Sequence, residues 1–191
     1  MNFTIKYFMK KIFFIPLLMF FAFIFLSGKG AWKTIDQSEY FTVKVPSYMS
    51  LSYGLNEEAT VEYQYVEEIG GEVKEMYLIV LFETKEEIES YNLETEFNAL
   101  SYAELSAAQL GEGLDSYEIL TTEPKVVEIN GMDCVKYVMR GSMGDVDVYY
   151  KLAVYEGKKA FYQVLTWTLA SQISQFNADM ETIISSLKEK K

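Results

Sequence analysis

The sequence has no histidine, one cysteine and one arginine among its 191 residues. Histidine is the commonest general base and the commonest zinc ligand. Its absence excludes Ser-His-Asp and Cys-His arrangements and leaves zinc or copper without a ligand set. The single arginine, Arg140, cannot form a two-guanidinium clamp on a phosphate or carboxylate. The glycine-bounded segment Gly141–Gly144 lacks the lysine of a phosphate-binding loop. We therefore predict no catalytic, cofactor-binding or metal-ligating residues and no cofactor.

Cys134 is the only cysteine, which excludes a disulfide within the chain. It lies in the strand-like run MDCVKYV, where we predict a small buried side chain; the alternative is a reactive or intermolecular thiol. The sequence also lacks repeats with a period of roughly 20–50 residues and has no low-complexity linker. These two absences predict a single domain over residues 31–191.

Basic residues are concentrated at the N-terminus. Lys6, Lys10 and Lys11 precede the apolar run Ile12–Leu26, and no acidic residue occurs before Asp36. This pattern predicts a signal peptide or an N-terminal membrane anchor over residues 1–30. The lysines would stay on the cytoplasmic side, so we expect an extracytoplasmic domain, either secreted or anchored to the outer face of the cytoplasmic membrane.

The remaining chain is strongly acidic. Without residues 1–30, which hold four of the 17 basic residues, 13 basic residues face 28 acidic ones, a net charge of −15. Such a charge repels nucleic acids and anionic lipids. We therefore expect no nucleic-acid partner and membrane contact only through the N-terminal segment. An unknown protein or a small molecule remains as the partner.

Hydrophobic periodicity predicts mostly strands. From Pro124 onwards, Val-, Tyr- and Thr-rich runs predict an antiparallel meander with turns at Asn130–Gly131 and Glu156–Gly157. Met76–Phe82 is apolar on both faces, which indicates a strand covered on both sides. Further strands are predicted near Phe41–Val45, Met49–Tyr53, Ala59–Glu67 (with Glu62 and Gln64 on a solvent-exposed face) and Ser116–Leu120.

Three helices are predicted. A capping box at Thr84 and Glu87 starts a short helix at Lys85, and a longer helix covers Leu93–Leu110. An apolar stripe including Phe176 and Met180 predicts a C-terminal helix that packs on the sheet. The fold class is therefore α/β (α+β), a three-layer α/β/α sandwich with a central, mainly antiparallel sheet.

Acidic residues suggest two alternative functions. Asp145 and Asp147 lie two residues apart, and together with Asp133 they would offer oxygen ligands for a weak Ca²⁺-binding sensor domain. A carboxylate-dependent hydrolase would need two acids brought together in a cleft, one of them with a raised pKa. Isolated acids on a strand edge are more often solvated, so neither pattern defines a site.

Aromatic residues gather on the last two predicted strands. Most of them should pack under the helices, and any that stay exposed would mark a binding surface. The residues are Tyr149, Tyr150, Tyr155, Phe161, Tyr162 and Trp167.

Taken in order, three elements of the chain resemble the Mog1/PsbP-like superfamily, in particular its small bacterial exported members. They are YFTVKVP at Tyr40–Pro46, the turn at Ile129–Gly131, and GKKAFYQVLTWT followed by FNADMETIISSLK. Many members carry a tryptophan after the proline, where this chain has Tyr48 and Met49. The resemblance implies an α/β/α sandwich and a non-catalytic exported binding or accessory module of unknown specific role, acting at the cell envelope.

Overall fold

The computed structural model describes residues 30–90 and 97–191. The strands are β1 (Trp32–Ile35), β2 (Phe41–Pro46), β3 (Ser50–Leu51), β4 (Val61–Ile69), β5 (Glu72–Thr84), β6 (Ser116–Ile119), β7 (Val127–Ile129), β8 (Met132–Met143), β9 (Val146–Glu156), β10 (Ala160–Leu169) and β11 (Lys188–Glu189). The central antiparallel sheet has eight strands in the order β3-β4-β5-β10-β9-β8-β6, with β7 also paired to β8. A second sheet has the order β1-β2-β11. The helices are α1 (Lys85–Ser90), α2 (Ala99–Glu112) and α3 (Ile173–Ile184), the last preceded by a 3-10 turn at Ala170–Gln172.

The large sheet is covered on both faces, as the doubly apolar strand predicted. On β5, Met76, Leu78 and Val80 belong to the core shared with α3, whereas Ile79 belongs to the core shared with α2. The layer over the first face contains α3 together with the small three-stranded sheet. The predicted α+β sandwich is therefore confirmed.

The meander contains three hairpins. Asn130 and Gly131 have φ values of 55° and 80°, which confirms the turn predicted from this dipeptide. An unpredicted turn at Gly144–Asp145 joins β8 to β9. The prediction of the same turn type at Glu156–Gly157 is wrong, because Gly157 does not have a positive φ. Here the chain turns over residues 157–160, and the Gly157 N–H donates to the Ala160 carbonyl at 2.9 Å.

Two helices begin where side chains satisfy their first N–H groups. The predicted start of α1 at Lys85 is confirmed. The start of α2 lies later than predicted, at Ala99, because the Asn98 side chain accepts the N–H groups of Leu100 and Ser101. The predicted residues from Leu93 to residue 96 lie outside the described part of the chain. On α3, the predicted apolar stripe is buried against the sheet at Phe176, Met180, Ile183 and Ile184.

Glu62 corrects the predicted face of β4. The alternating pattern places it in solvent, yet it is only 7% exposed. Its carboxylate accepts the backbone N–H groups of Leu55 and Asn56, both at 3.0 Å. The loop that follows β3 folds back over this strand face and provides these donors, which strand periodicity does not reveal.

The predicted signal peptide or anchor lies outside the described residues, except for Gly30. Within residues 30–90 and 97–191, no helix is long and apolar enough to cross a membrane.

Candidate functional site

A shallow cleft of about 470 Å³ lies at the C-terminal end of α3. We call it the α3 cleft. It forms where the end of this helix meets the small sheet and the turn between β7 and β8. Its lining residues are Lys44, Asn130, Glu181, Thr182, Ser185, Ser186 and Lys188.

Backbone groups at the end of α3 hold these elements together. The last carbonyls of a helix lack partners within the helix. The Asn130 amide donates to the carbonyls of Ser185, at 3.2 Å, and Leu187, at 2.7 Å. The Ser186 hydroxyl accepts the Lys44 N–H at 2.9 Å. Asn130 thus both forms the hairpin turn and fixes that turn against the helix end.

Glu181 is the carboxylate of the α3 cleft, and two lysines of the sheet clamp it. Its oxygens lie 2.6 Å from Lys136 Nζ and 2.8 Å from Lys151 Nζ, and the Lys151 side chain is only 7% exposed. Lys136 also donates to the Ser185 hydroxyl at 2.9 Å. Partial burial by itself would raise the pKa of Glu181, but hydrogen bonds and charge from both lysines lower it to about 2. Glu181 therefore stays ionised and is a weak base.

The surroundings of the cleft are cationic in an otherwise acidic domain. Lys44 and Lys188 line it without an ion-pair partner among the described residues. Lys136 and Lys151 are ion-paired with Glu181, so the unpaired positive charge of the lining is that of Lys44 and Lys188. Positive charge concentrated in a concave surface attracts anions. The arrangement can bind an anionic group, but it has no proton donor and acceptor pair suited to acid–base catalysis.

The three aspartates of the calcium hypothesis do not come together. Asp133 pairs with Glu156 at one end of the β8–β9 hairpin, and Asp147 pairs with Ser142 at the other end. The two positions are nine residues apart along the strand, about 30 Å at the rise of an extended chain. Asp145 lies in the turn next to Asp147. No group of three or more potential metal ligands occurs in the described ranges. The proposed three-aspartate site is therefore wrong.

Two other carboxylates, Glu83 and Glu156, lie on either side of Phe161 in the sheet register. Glu156 pairs with Lys85 at 2.9 Å and accepts the Ala99 N–H at 2.9 Å, at the start of α2. The Tyr102 hydroxyl of α2 donates to Glu83. Carboxylates are favourable at a helix N-terminus. These contacts attach α2 to the sheet and give both acids a structural role.

The predicted aromatic cluster is core. All six of its members are at most 9% exposed. Cys134 is also buried, and burial raises the pKa of its thiol to about 12, which confirms the predicted small buried side chain. Sequence reasoning missed two exposed aromatic residues of the described chain: Tyr53, 84% exposed in the loop after β3, and Tyr117, 48% exposed on β6. For Tyr53, the position between Ser52 and Gly54 was the available signal, because both neighbours favour loops.

Solved structures with the same arrangement define the class of fold. The chain is similar to cyanobacterial PsbP (CyanoP) from Synechocystis sp. PCC 6803, with a TM-score of 0.55 and 11% identity over 88% of this chain and 98% of that chain. It is also similar to LpqN from Mycobacterium tuberculosis, with a TM-score of 0.54 and 9% identity over 84% of this chain and 91% of that chain. No protein family and no curated protein matches the sequence. The predicted PsbP-like fold is confirmed.

Proposed function

We propose that this chain is a non-catalytic accessory module that acts outside the cytoplasm and binds an anionic group in the α3 cleft. The observation that carries this proposal is that Lys136 and Lys151 compensate Glu181, the carboxylate of the cleft, while Lys44 and Lys188 line the cleft without an ion-pair partner among the described residues. The ligand class is a carboxylate or phosphate group, carried by a small molecule or by a protein partner. Elsewhere the domain is acidic and repels such groups, so the cleft is the favoured place for an anion to bind.

The state of Glu181 favours binding over catalysis. A general acid or base works best when its pKa lies near the working pH. The pKa of Glu181 is about 2, so at neutral pH this carboxylate neither donates nor readily accepts a proton. Its charge instead orders Lys136 and Lys151 below the cleft, while Lys44 and Lys188 remain available to a ligand.

The expected location outside the cytoplasm supports the same role. The basic and apolar N-terminal segment predicts export, and LpqN is described as involved in cell envelope biogenesis. Both fit a domain at the cell envelope.

Fractionation of cells into cytosol, membrane and medium tests this location: we expect the chain in the membrane or medium fractions. Recovery in the cytosol alone would contradict export.

The binding proposal predicts saturable anion binding that depends on two lysines. In low salt, we expect phosphate or succinate to raise the melting temperature of the purified protein, because a ligand that binds only the folded state stabilises it. Replacing Lys44 and Lys188 together by glutamate should raise the Kd for these anions by about tenfold or more, since two attractions become repulsions.

Lys125→Glu supplies the matched control. Lys125 is exposed, pairs with the exposed Glu123 at 3.5 Å and lies outside the cleft. This single reversal is compared with Lys44→Glu and Lys188→Glu made one at a time. It should leave the Kd within about twofold, because exposed charges far from the ligand are screened by salt. Equal effects of Lys125→Glu and of both single cleft changes, or no saturable binding at all, would rule out the α3 cleft as the anion site.

A further inference from the structure

The outer edge of β4 is open over part of its length. β3 pairs with β4 only at Gln64 and Tyr63, and the Ser52 N–H donates to the Glu62 carbonyl. In an antiparallel strand, every second residue points its N–H and C=O groups to the same side. Val66 and Glu68 therefore direct theirs outward, as Glu62 and Gln64 do. Among the described residues, no backbone group pairs with these four outward groups of Val66 and Glu68.

The hairpin that carries this edge is fixed on its other side. The last pair between β5 and β10 is Met76 with Thr168, so β5 extends beyond its neighbour. There the Gln172 side chain takes the place of a strand. Its Oε1 accepts the Glu75 N–H at 2.9 Å and its Nε2 donates to the Val73 carbonyl at 2.6 Å. The Glu75 N–H and the Val73 carbonyl on the β5 side of the hairpin thus have partners, whereas the β4 side is left free at Val66 and Glu68.

Exposed apolar side chains accompany the open edge. Val66 is 51% exposed, Ile69 47% and Val73 45%. Edge strands are usually protected by lysine, proline or a bulge. The stretch from Tyr65 to Ile69 contains no lysine or proline. It remains in regular register with β5 up to the turn. Such an edge is suited to receive another strand.

The negative charge of the open β4 edge indicates what kind of strand would bind there. Glu67, Glu68 and Glu72 make this part of the hairpin acidic, with Lys74 as its cation. Two copies paired antiparallel through this edge would place Glu67 opposite Glu67 or Glu68 opposite Glu68, which is unfavourable. The register with Val66 opposite Val66 would place Glu68 opposite Gln64, whose edge already pairs with Ser50. A segment with alternating basic and apolar residues meets no such repulsion.

We propose that the outer edge of β4 at Val66–Glu68 binds an extended basic–apolar segment of a protein partner by strand addition. Backbone groups of Val66 and Glu68 form the ladder. Val66 and Glu68 present their side chains on one face of the sheet and Glu67 on the other. An alternating segment can therefore place its basic side chains beside Glu67 and its apolar ones beside Val66, while Glu68 adds negative charge to the same edge. This surface is separate from the α3 cleft, so its occupancy does not depend on anion binding.

The test uses the full chain and a short capped peptide in which lysine alternates with valine. We expect peptide binding to slow hydrogen exchange of the Val66 and Glu68 amides by about tenfold or more, because they become strand-paired. The Glu67 amide, already paired with β5, should change little. A peptide with alternate backbone nitrogens methylated cannot complete the ladder and should not protect these amides.

Charge-reversal variants complete the test. Glu67→Lys with Glu68→Lys should weaken peptide binding by about tenfold or more, whereas Glu118→Lys with Glu128→Lys at the opposite sheet edge should not. Binding without protection of Val66 and Glu68, equal binding of the methylated peptide, or equal effects of the two pairs of substitutions would overturn the proposal. So would protection of both amides by self-association without peptide.

Discussion

Glu181→Gln is expected to lower the free energy of unfolding by about 2 kcal/mol, because it removes the anion that compensates a buried ammonium. Lys151 is almost fully buried, and Glu181 Oε2 is its ion-pair partner among the described residues. Glutamine keeps one acceptor oxygen but directs an amide N–H₂ group at the other lysine. The expected loss of unfolding free energy is smaller than for a fully buried ion pair, because the Glu181 side chain is 47% exposed. Urea unfolding of both proteins at neutral pH measures the difference.

The effect should depend on pH in a defined direction. The pKa of Glu181 is about 2 in the folded protein, against an ordinary value of 4.5. A lowered folded-state pKa gives stability that is fully present above the ordinary value and is lost as the pH falls towards the folded value. The difference between wild type and Glu181→Gln should therefore be constant above about pH 5 and should narrow between about pH 4.5 and pH 2.

Glu128→Gln is the control for this substitution. Glu128 is exposed on β7, and the change removes the same charge from the chain. It should alter the free energy of unfolding by less than about 0.5 kcal/mol. If Glu181→Gln behaves like Glu128→Gln, the cluster of Glu181, Lys136 and Lys151 contributes nothing to stability.

The elements that the sequence predicted well are those fixed by local patterns. Met76–Phe82 is apolar on both faces because both faces of β5 contact a core, and this pattern was sufficient to place helices on each side of the sheet. The stripe through Phe176 and Met180 has the period of a helix on a surface. Asn130 and Gly131 both tolerate a positive φ, so the turn follows from two adjacent residues.

The candidate site could not be predicted because its residues meet only through the fold. Lys44 and Lys188 are separated by most of the domain. They come together because β11 pairs with β2, where Lys188 lies opposite Thr42. In sequence, Glu181 is one acid among 28, and nothing near it indicates that two sheet lysines lie beneath. The prediction that Glu62 faces solvent was wrong for a related reason. The N–H groups that its carboxylate accepts belong to the loop residues Leu55 and Asn56, which strand periodicity does not reveal.

The role of Gly141 could not be predicted from the sequence either. A glycine often marks the end of a strand, yet β8 continues past it to Met143. The space of an added Cβ at Gly141 is already occupied by the side chain of Leu114, and it would lie only 3.1 Å from the Ser116 carbonyl oxygen. Close packing, and not a turn, explains the glycine at this position. The sequence does not show this, because the contact forms only when β6 pairs with β8.

The second large effect is expected at Gly157, which also allows a close approach. A Cβ at this position would lie 2.7 Å from Tyr162 Cε2 and closer still to Glu189 Oε1. The Tyr162 ring is fully buried and contacts the ring of Phe41, so it cannot move aside. Glu189 would have to move. Its carboxylate accepts the N–H groups of Lys158 and Lys159, both at 3.0 Å, and would lose them.

Gly157→Ala should therefore lower the free energy of unfolding by about 2–3 kcal/mol, through overpacking and the loss of hydrogen bonds to a charged group. Gly113→Ala is the control, because its added Cβ meets only ordinary contacts and should change stability by less than about 0.5 kcal/mol. A double variant with Glu189→Ala should cost less than the sum of the single changes, since removing the carboxylate also removes part of the clash.

Gly157→Ala should also weaken anion binding, which links this turn to the α3 cleft. Glu189 follows Lys188 in β11, and both residues pair with β2. When the Glu189 carboxylate is displaced, β11 loses its attachment to the β9–β10 turn and Lys188 loses its fixed position in the cleft. The Kd for phosphate should then rise in Gly157→Ala but not in Gly113→Ala, measured where both variants are fully folded. An unchanged Kd with lowered stability would show that the pairing of β11 with β2 holds Lys188 in place without the Glu189 contacts.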